Sequence, residues 1–240
     1  MTASLSSRYA PLSNLLVPAA SGESATADYT LGCLAGVNLG ENAMKKLTEK
    51  QKARLYQLRR SENFTESLRL DDFPSARESA AQRAGTLELG PPAMGLPRLC
   101  VIHRHLFLGI HDGAGQLRTV DIVRGDMCFC HFDYLEKEGS AVMQQLESEN
   151  YLRGLPKGEI ISRLAHYYTE INMLHPFFAG NGLAQRVFFE QLMIHAGYDP
   201  RWRPIQRDEW QAALRAGAVG ALAPLTTLFA RVVNEPDGPV

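Results

Sequence analysis

The chain has 240 residues, 25 Lys and Arg against 26 Asp and Glu, 45% hydrophobic and 21% charged residues. That balance fits a globular chain with one large core, offers no broad basic field for nucleic acid or anionic lipid, and contains no apolar run near the ~20 residues that cross a bilayer. Direct nucleic-acid binding and membrane insertion are therefore set aside, and four cysteines without CxxC spacing point to reduced thiols in a cytoplasmic protein.

Residues 1–40, including the polar run "SGESATADYT", are expected to form an extension without order of its own. Residues 41–74 read as an N-terminal helix and an insertion. Thr48 and Gln51 form a capping-box pattern, and Leu55 and Leu58 give "LTEKQKARLYQLRR" an apolar stripe. The stretch "SENFTESLRLDDFP", 61–74, loses that period and ends at a proline, as an insertion or linker does. From 75 to 240 a continuous domain is expected. Ser75 and Glu78 repeat the capping-box pattern and open a helix that Gly90-Pro91-Pro92 stops. Pro97 suits the first turn of the next helix, which sends Leu99, Ile102, Phe107 and Ile110 to the core.

After "HDGAGQLR" the period changes. "TVDIV" and "MCFCHF" are short β-prone runs around Arg124-Gly125-Asp126, the pattern of a small hairpin. On such a strand Cys128 and Cys130 share one face and His131 takes the other. Asp133 and Glu136 mark another helix start. A long helix from about Lys157 spaces Ile160, Leu164, Tyr168 and Ile171 along one side and delivers the chain to His175. A further helix follows Gly182 and stops near Gly197, and two more cover 207–216 and 221–234. The expected fold is all-α, mainly helical, with one small β-hairpin.

The chemistry concentrates in "HPFFAGNGLAQR", His175 to Arg186. Gly180-Asn181-Gly182 stands at a helix entrance, where unpaired N–H groups and a partial positive charge favour an anion. The glycines let several amides face one phosphate. Arg186 lies one turn in, so its guanidinium can lean back over that anion. His175, with an ordinary pKa near about 6.5, is placed to act as a base beside it. The residues alone leave a second reading open: a turn between two helices, with His175 a hydrogen-bonded corner before Pro176. His103 and His105, two apart on a helix, face different directions and make a poor metal pair, and Trp202 and Trp210 read as packing residues.

This dozen resembles the signature of the Fic domain, His-Pro-Phe-x-Asp/Glu-Gly-Asn-Gly-Arg-x-x-Arg, matched by His175, Pro176, Phe177, Gly180, Asn181, Gly182 and Arg186. The likeness continues through "LPRLCVIHRHLF", "AGQLR", "GDMCFCHFDYLEKEG", "LAHYYTEINMLHPF" and "LAQRVFFEQLMIHAGY", over residues 80–234, and is similar to the short bacterial Fic proteins of toxin type. The resemblance implies a helical core with a hairpin flap, and transfer of AMP from ATP to a protein hydroxyl with release of pyrophosphate. It makes His175 the catalytic base and gives Gly180, Asn181, Gly182 and Arg186 to the nucleotide. It gives Val120, Asp121, Ile122, Cys128 and Phe129 of the flap to the target segment, held as an added strand. The partners it implies are a target protein, with the B subunits of DNA gyrase or topoisomerase IV as the target class, and a small inhibitory antitoxin protein in trans.

Three positions depart from the signature and its surroundings. Ala179 stands where the family has the carboxylate that holds Mg²⁺, so no metal ligand is assigned and Mg²⁺ is expected to be held mainly by the ATP phosphates. Leu183 replaces the first motif arginine, and Gly113 replaces a tryptophan usual in that segment. Positioning carries most of the catalysis in transfer to phosphorus, so a weakened enzyme is expected, with a nucleotide- or partner-binding pseudoenzyme as the alternative. The family's restraining pattern, Ser/Thr-x-x-x-Glu-Gly/Asn, is absent; "SLRLDD" from Ser67 is nearest and lacks the glutamate. Restraint is for that reason expected from a separate protein.

Overall fold

The computed structural model describes residues 64–66, 74–124 and 127–236. The expected extension 1–40 and the helix from Thr48 lie outside the described residues. In chain order the elements are β1 (Phe64–Glu66), α1 (Pro74–Ala84), α2 (Leu96–Phe107), β2 (Asp121–Arg124), β3 (Met127–Cys128), α3 (Leu135–Ser148), α4 (Lys157–Leu174), α5 (Asn181–His195), β4 (Asp199–Pro200), α6 (Arg207–Ala218), α7 (Ala223–Val232) and β5 (Val233–Asn234). Single 3₁₀ turns at Phe132–Tyr134 and Asn150–Leu152 flank α3. The mainly helical fold with a hairpin is the one the chain adopts. No described helix is long and apolar enough to cross a membrane.

Helix α4 is the axis of the fold. From Tyr167 to Leu174 every residue is buried, so this half meets protein on all sides, and α3, α5, α6 and α7 pack around it. Its spaced apolar residues Ile160, Leu164, Tyr168 and Ile171 are buried as expected. Tyr168 meets Trp210 edge-on at 5.0 Å and 86°, and Trp202 meets Trp210 at 5.5 Å and 88°, the arrangement that ring quadrupoles favour. Both tryptophans are packing residues.

Two helix boundaries differ from the sequence expectation. Helix α1 ends at Ala84 instead of running to Gly90, because Gly85 N–H and the Thr86 hydroxyl turn back to the carbonyls of Gln82 and Arg83, at 3.2 and 2.9 Å. Orphan carbonyls at a helix end are satisfied this way. Ser75 lies inside the first turn of α1, not at its cap. Helix α2 closes at Phe107, so Ile110 reaches the core from the loop beyond it.

The hairpin pairs Val123 with Cys128 and Arg124 with Met127, antiparallel. A third strand lies within 61–74, the stretch read as an insertion or linker. Within it, β1 pairs in parallel with β2, in the register Phe64↔Asp121, Thr65↔Ile122 and Glu66↔Val123. A three-residue strand has too few positions to show a period, and its partner is remote in sequence.

What fixes the hairpin to the helical core is the C-terminal end of α4, whose last carbonyls have no intrahelical partner. The last i→i−4 bond runs from His175 N–H to Ile171 O at 3.1 Å; beyond it Met173 O accepts from Cys130 N–H at 2.9 Å, and Pro176 O, just past the helix, accepts from Arg118 N–H at 2.9 Å. The Arg118 guanidinium supplies most of the rest. It donates to the carbonyls of His175 at 2.9 Å, Val120 at 2.6 Å and Leu174 at 3.4 Å, and to that of Cys130. Its side chain is 0% exposed, and Asp121 lies 3.7 Å away as its counter-charge. Five donors in a planar fork suit this task and a single ammonium does not. Arg118→Met should therefore lower the unfolding free energy by at least about 3 kcal/mol, since several buried carbonyls lose their donors. Arg118→Lys should recover little of it, and urea denaturation of the three proteins measures both.

Candidate active site

His175 ends α4 in a left-handed conformation, φ 45° and ψ 61°. Pro176 disfavours the right-handed helical conformation in the residue before it, so the helix stops there and the chain turns. His175 is 2% exposed, and its ring stacks on Phe129 of the hairpin at 3.8 Å and 18°. Its Nδ1 lies 3.3 Å from Asn172 O, and its Nε2 lies 3.4 Å from an Arg124 guanidinium nitrogen. A carbonyl only accepts and a guanidinium only donates. The proton therefore sits on Nδ1, and the Nε2 lone pair faces the Arg124 guanidinium. Burial, then the charges of Arg124 and Arg118, hold the imidazole pKa well below its usual value, against the pull of the Asn172 bond. His175 is neutral at pH 7, as a base has to be.

The loop from Pro176 to Gly182 is held from inside. Asn181 is buried, and its amide is committed to one neighbour: its Oδ1 accepts from Phe177 N–H at 2.9 Å and its Nδ2 donates to Phe177 O at 2.6 Å. The side chain thus shapes the loop, and what Asn181 presents outward is its backbone. Gly180 has φ 78°, and a Cβ there would stand 2.4 Å from the Phe107 ring, so only glycine fits. A Cβ on Gly182 would meet nothing within 4 Å. Helix α5 starts without a side-chain cap, and its first intrahelical bond runs from Ala184 N–H to Gly180 O at 3.1 Å. A helix start with no side-chain cap, and with open space where a Cβ on Gly182 would stand, suits an anion. Arg186, exposed one turn further on, lies over the Trp202 ring at 5.3 Å.

His103 belongs to this site, and sequence reasoning passed over it. It is fully buried in α2 and stacks on Phe177 at 3.8 Å and 13°. Gly115 N–H donates to its Nδ1 at 2.8 Å, so Nε2 carries the proton and donates to Ala179 O, also at 2.8 Å. Burial pushes its pKa down to about 4. His105 turns away to Arg83 O at 3.0 Å, so the pair diverges as expected. The signal for His103 was present: it stands one helical turn from both Leu99 and Phe107 on the buried side of α2. Arg118 and Arg124 carried no comparable local signal.

The flap residues divide. Ile122, Cys128 and Phe129 are buried, and the Val120 carbonyl is taken by Arg118. The Asp121 carboxylate accepts from Phe132 N–H at 3.0 Å and faces His131 at 3.3 Å. Burial raises its pKa, with His131 opposing. These side chains build the hairpin and its root, so a docking segment would meet main chain. Cys128 and Cys130 are both buried free thiols, and among the described residues no group of three or more His, Cys, Asp or Glu could hold a metal. At the position of the expected Mg²⁺ carboxylate, Ala179 presents a methyl group. The chain's own donors do not fit a magnesium cage.

Residues 94–193 match the family model "Fic/DOC family", and residues 45–88 match a second model, "YhfG". The chain is 55% identical over 173 residues to "Probable protein adenylyltransferase Fic" of Escherichia coli K12, covering 72% of this chain and 86% of that protein. It is 35% identical to "Protein adenylyltransferase VbhT" of Bartonella schoenbuchensis over 66% of this chain and 34% of that one. Among solved structures, the N-terminal Fic domain of a VirB-translocated effector from Bartonella quintana with bound ADP aligns with a TM-score of 0.61 and 25% identity, over 68% of this chain and 85% of that one. The BepC protein of Bartonella tribocorum with bound AMPPNP shares the fold, with a TM-score of 0.63 and 23% identity over 69% of this chain and 87% of its own.

The two glycines should separate in a stability measurement. Gly180→Ala should destabilise by several kcal/mol through the Phe107 clash and the positive φ (about 1–3 kcal/mol for the backbone alone). Gly182→Ala should be neutral or stabilise by up to about 1 kcal/mol, since alanine is the better helix former. His103 should give the protein an acid limb. Its folded pKa lies below the unfolded value, so between pH 6.5 and about 4 the unfolded chain binds the extra proton. Stability present above pH 6.5 is lost as pH falls through that window, by about 3 kcal/mol from this group. Urea midpoints at pH 7 and 4.5 check it, and His103→Gln should flatten the difference.

Proposed function

The chain belongs to the Fic/DOC family, and from that premise we propose that it is a protein adenylyltransferase, moving AMP from ATP to a hydroxyl side chain of a target protein. One observation carries the reading: a neutral buried imidazole, its Nε2 lone pair toward Arg124, stands within one tight loop of an uncapped helix entrance with open space beside Gly182. The entrance holds phosphate through the first-turn N–H groups of α5. Arg186 leaves Trp202 to add its charge. His175 Nε2 takes the target hydroxyl proton, and the Arg124 guanidinium yields that position. The hydroxyl oxygen bonds to the α-phosphorus, the bond from that phosphorus to the bridging oxygen breaks, and pyrophosphate leaves. Mg²⁺ would accompany the ATP phosphates, and no step is assigned to it here.

The E. coli and Bartonella relatives bear the name adenylyltransferase, and the Bartonella effector structures bind ADP and AMPPNP; both support the reading. The finer one, a toxin restrained in trans by a small antitoxin and directed at the B subunits of DNA gyrase or topoisomerase IV, rests on the sequence resemblance. Ala179 and Leu183 favour a second reading, a nucleotide-binding module without turnover.

With ATP labelled at the α-phosphate, label should appear on protein; label from the γ-phosphate alone would point to a kinase and end the proposal. His175→Ala should reduce transfer by at least about 100-fold with ATP affinity nearly unchanged. Gly182→Ala should weaken ATP binding without loss of stability. Ala179→Glu should raise transfer; no transfer from either protein would favour the binding module. Since His175 titrates well below the ordinary histidine range, kcat/KM should hold as pH falls from 7.5 to 6 and fail only below.

A further inference from the structure

A strand-docking edge works only while its main-chain N–H and C=O groups are free. In the three-stranded sheet the order is β1-β2-β3, so β2 is central. One side of β2 is taken by β3 and the other by β1, in the parallel register Phe64↔Asp121, Thr65↔Ile122 and Glu66↔Val123. Beyond β3 the chain is also engaged, since Cys130 N–H donates to Met173 O at 2.9 Å. The β2 edge is the one that leads to the chemistry, because Arg124 at its end lies 3.4 Å from His175 Nε2.

The occupant comes from outside the catalytic match. Phe64–Glu66 falls within residues 45–88, which match the YhfG model, and outside residues 94–193, which match Fic/DOC. We propose that Phe64–Glu66 is an in-cis occupant of the target-docking edge, and that the partner fitting this edge is an extended polypeptide segment running parallel to β2. The proposal rests on the adenylyltransferase reading only in taking the hairpin as the docking flap. A tethered strand competes at an effective concentration on the order of millimolar, so a target segment binding more weakly than that is shut out. Among the described residues three pair with β2, and so short a ladder can open locally while the domain stays folded. The device restrains docking and leaves the nucleotide entrance open. It is distinct from any restraint that acts at Arg186.

The test uses the full-length chain and needs no target. The variant F64P/T65P/E66P removes all three strand N–H groups. Hydrogen exchange at 121–124 should accelerate at least tenfold in it. A fluorescein-labelled peptide with the sequence of residues 60–70 should bind it at least tenfold more tightly than it binds the parent, by anisotropy. Equal exchange and equal peptide affinity in a folded variant would overturn the proposal. A second variant, E66C/V123C, guards against misfolding of the first. Mild oxidation of this folded variant should cross-link the register partners and abolish peptide binding, with recovery on reduction; failure to cross-link would refute the pairing itself. ATP affinity should be the same in the cross-linked and reduced forms, and its loss on cross-linking would overturn the assignment to docking. None of these readouts uses AMP transfer, so absent transfer with a confirmed strand would count against the catalytic reading alone.

Discussion

The unpaired carbonyls at the C-terminal end of α4 are the constraint on which the rest depends. A helix that ends inside a protein must find donors for them, and this one finds them in a remote arginine and the Cys130 amide. Arg118 donates to the carbonyls of Leu174 and His175 on the helix side and to those of Val120 and Cys130 on the hairpin side. One buried cation therefore sets the distance between the catalytic loop and the flap. The same contacts leave the His175 ring against Phe129, with Arg124 above its outer nitrogen.

The loop that follows is shaped largely by side chains that turn inward. His103 donates to the Ala179 carbonyl, Asn181 closes on Phe177, and the Phe107 ring fills the place of a side chain at Gly180. Three residues thereby hold the backbone that leads into the uncapped start of α5. This explains why the loop can keep its shape with alanine at 179. The methyl group costs a metal ligand, while the carbonyl that His103 grips belongs to the backbone and survives the change. Metal ligation and loop structure are separable here because they reside in different atoms of one residue.

Electrostatics push in the same direction. Two guanidinium groups near a buried imidazole keep it neutral, and a neutral base is the form the chemistry uses. The flap thus has a double relation to His175. Its aromatic residue packs the ring, its arginine tunes the charge, and its outer edge carries β1.

Much was legible from the sequence because its signals are local. The helical periods around Ile160 to Ile171, the proline that stops α4 after His175, the glycine pair at the head of α5 and the β-prone runs of the hairpin each depend on residues a few positions apart. They determined the helical class, the hairpin and the dozen residues where the chemistry sits. Tertiary structure alone decided the rest: that Arg118 caps α4, that His103 anchors Ala179, that the Asn181 amide turns inward, and that Phe64–Glu66 pairs with Asp121–Val123. Each of these joins groups far apart in the chain, and no spacing along a sequence records which buried carbonyl a distant donor will satisfy.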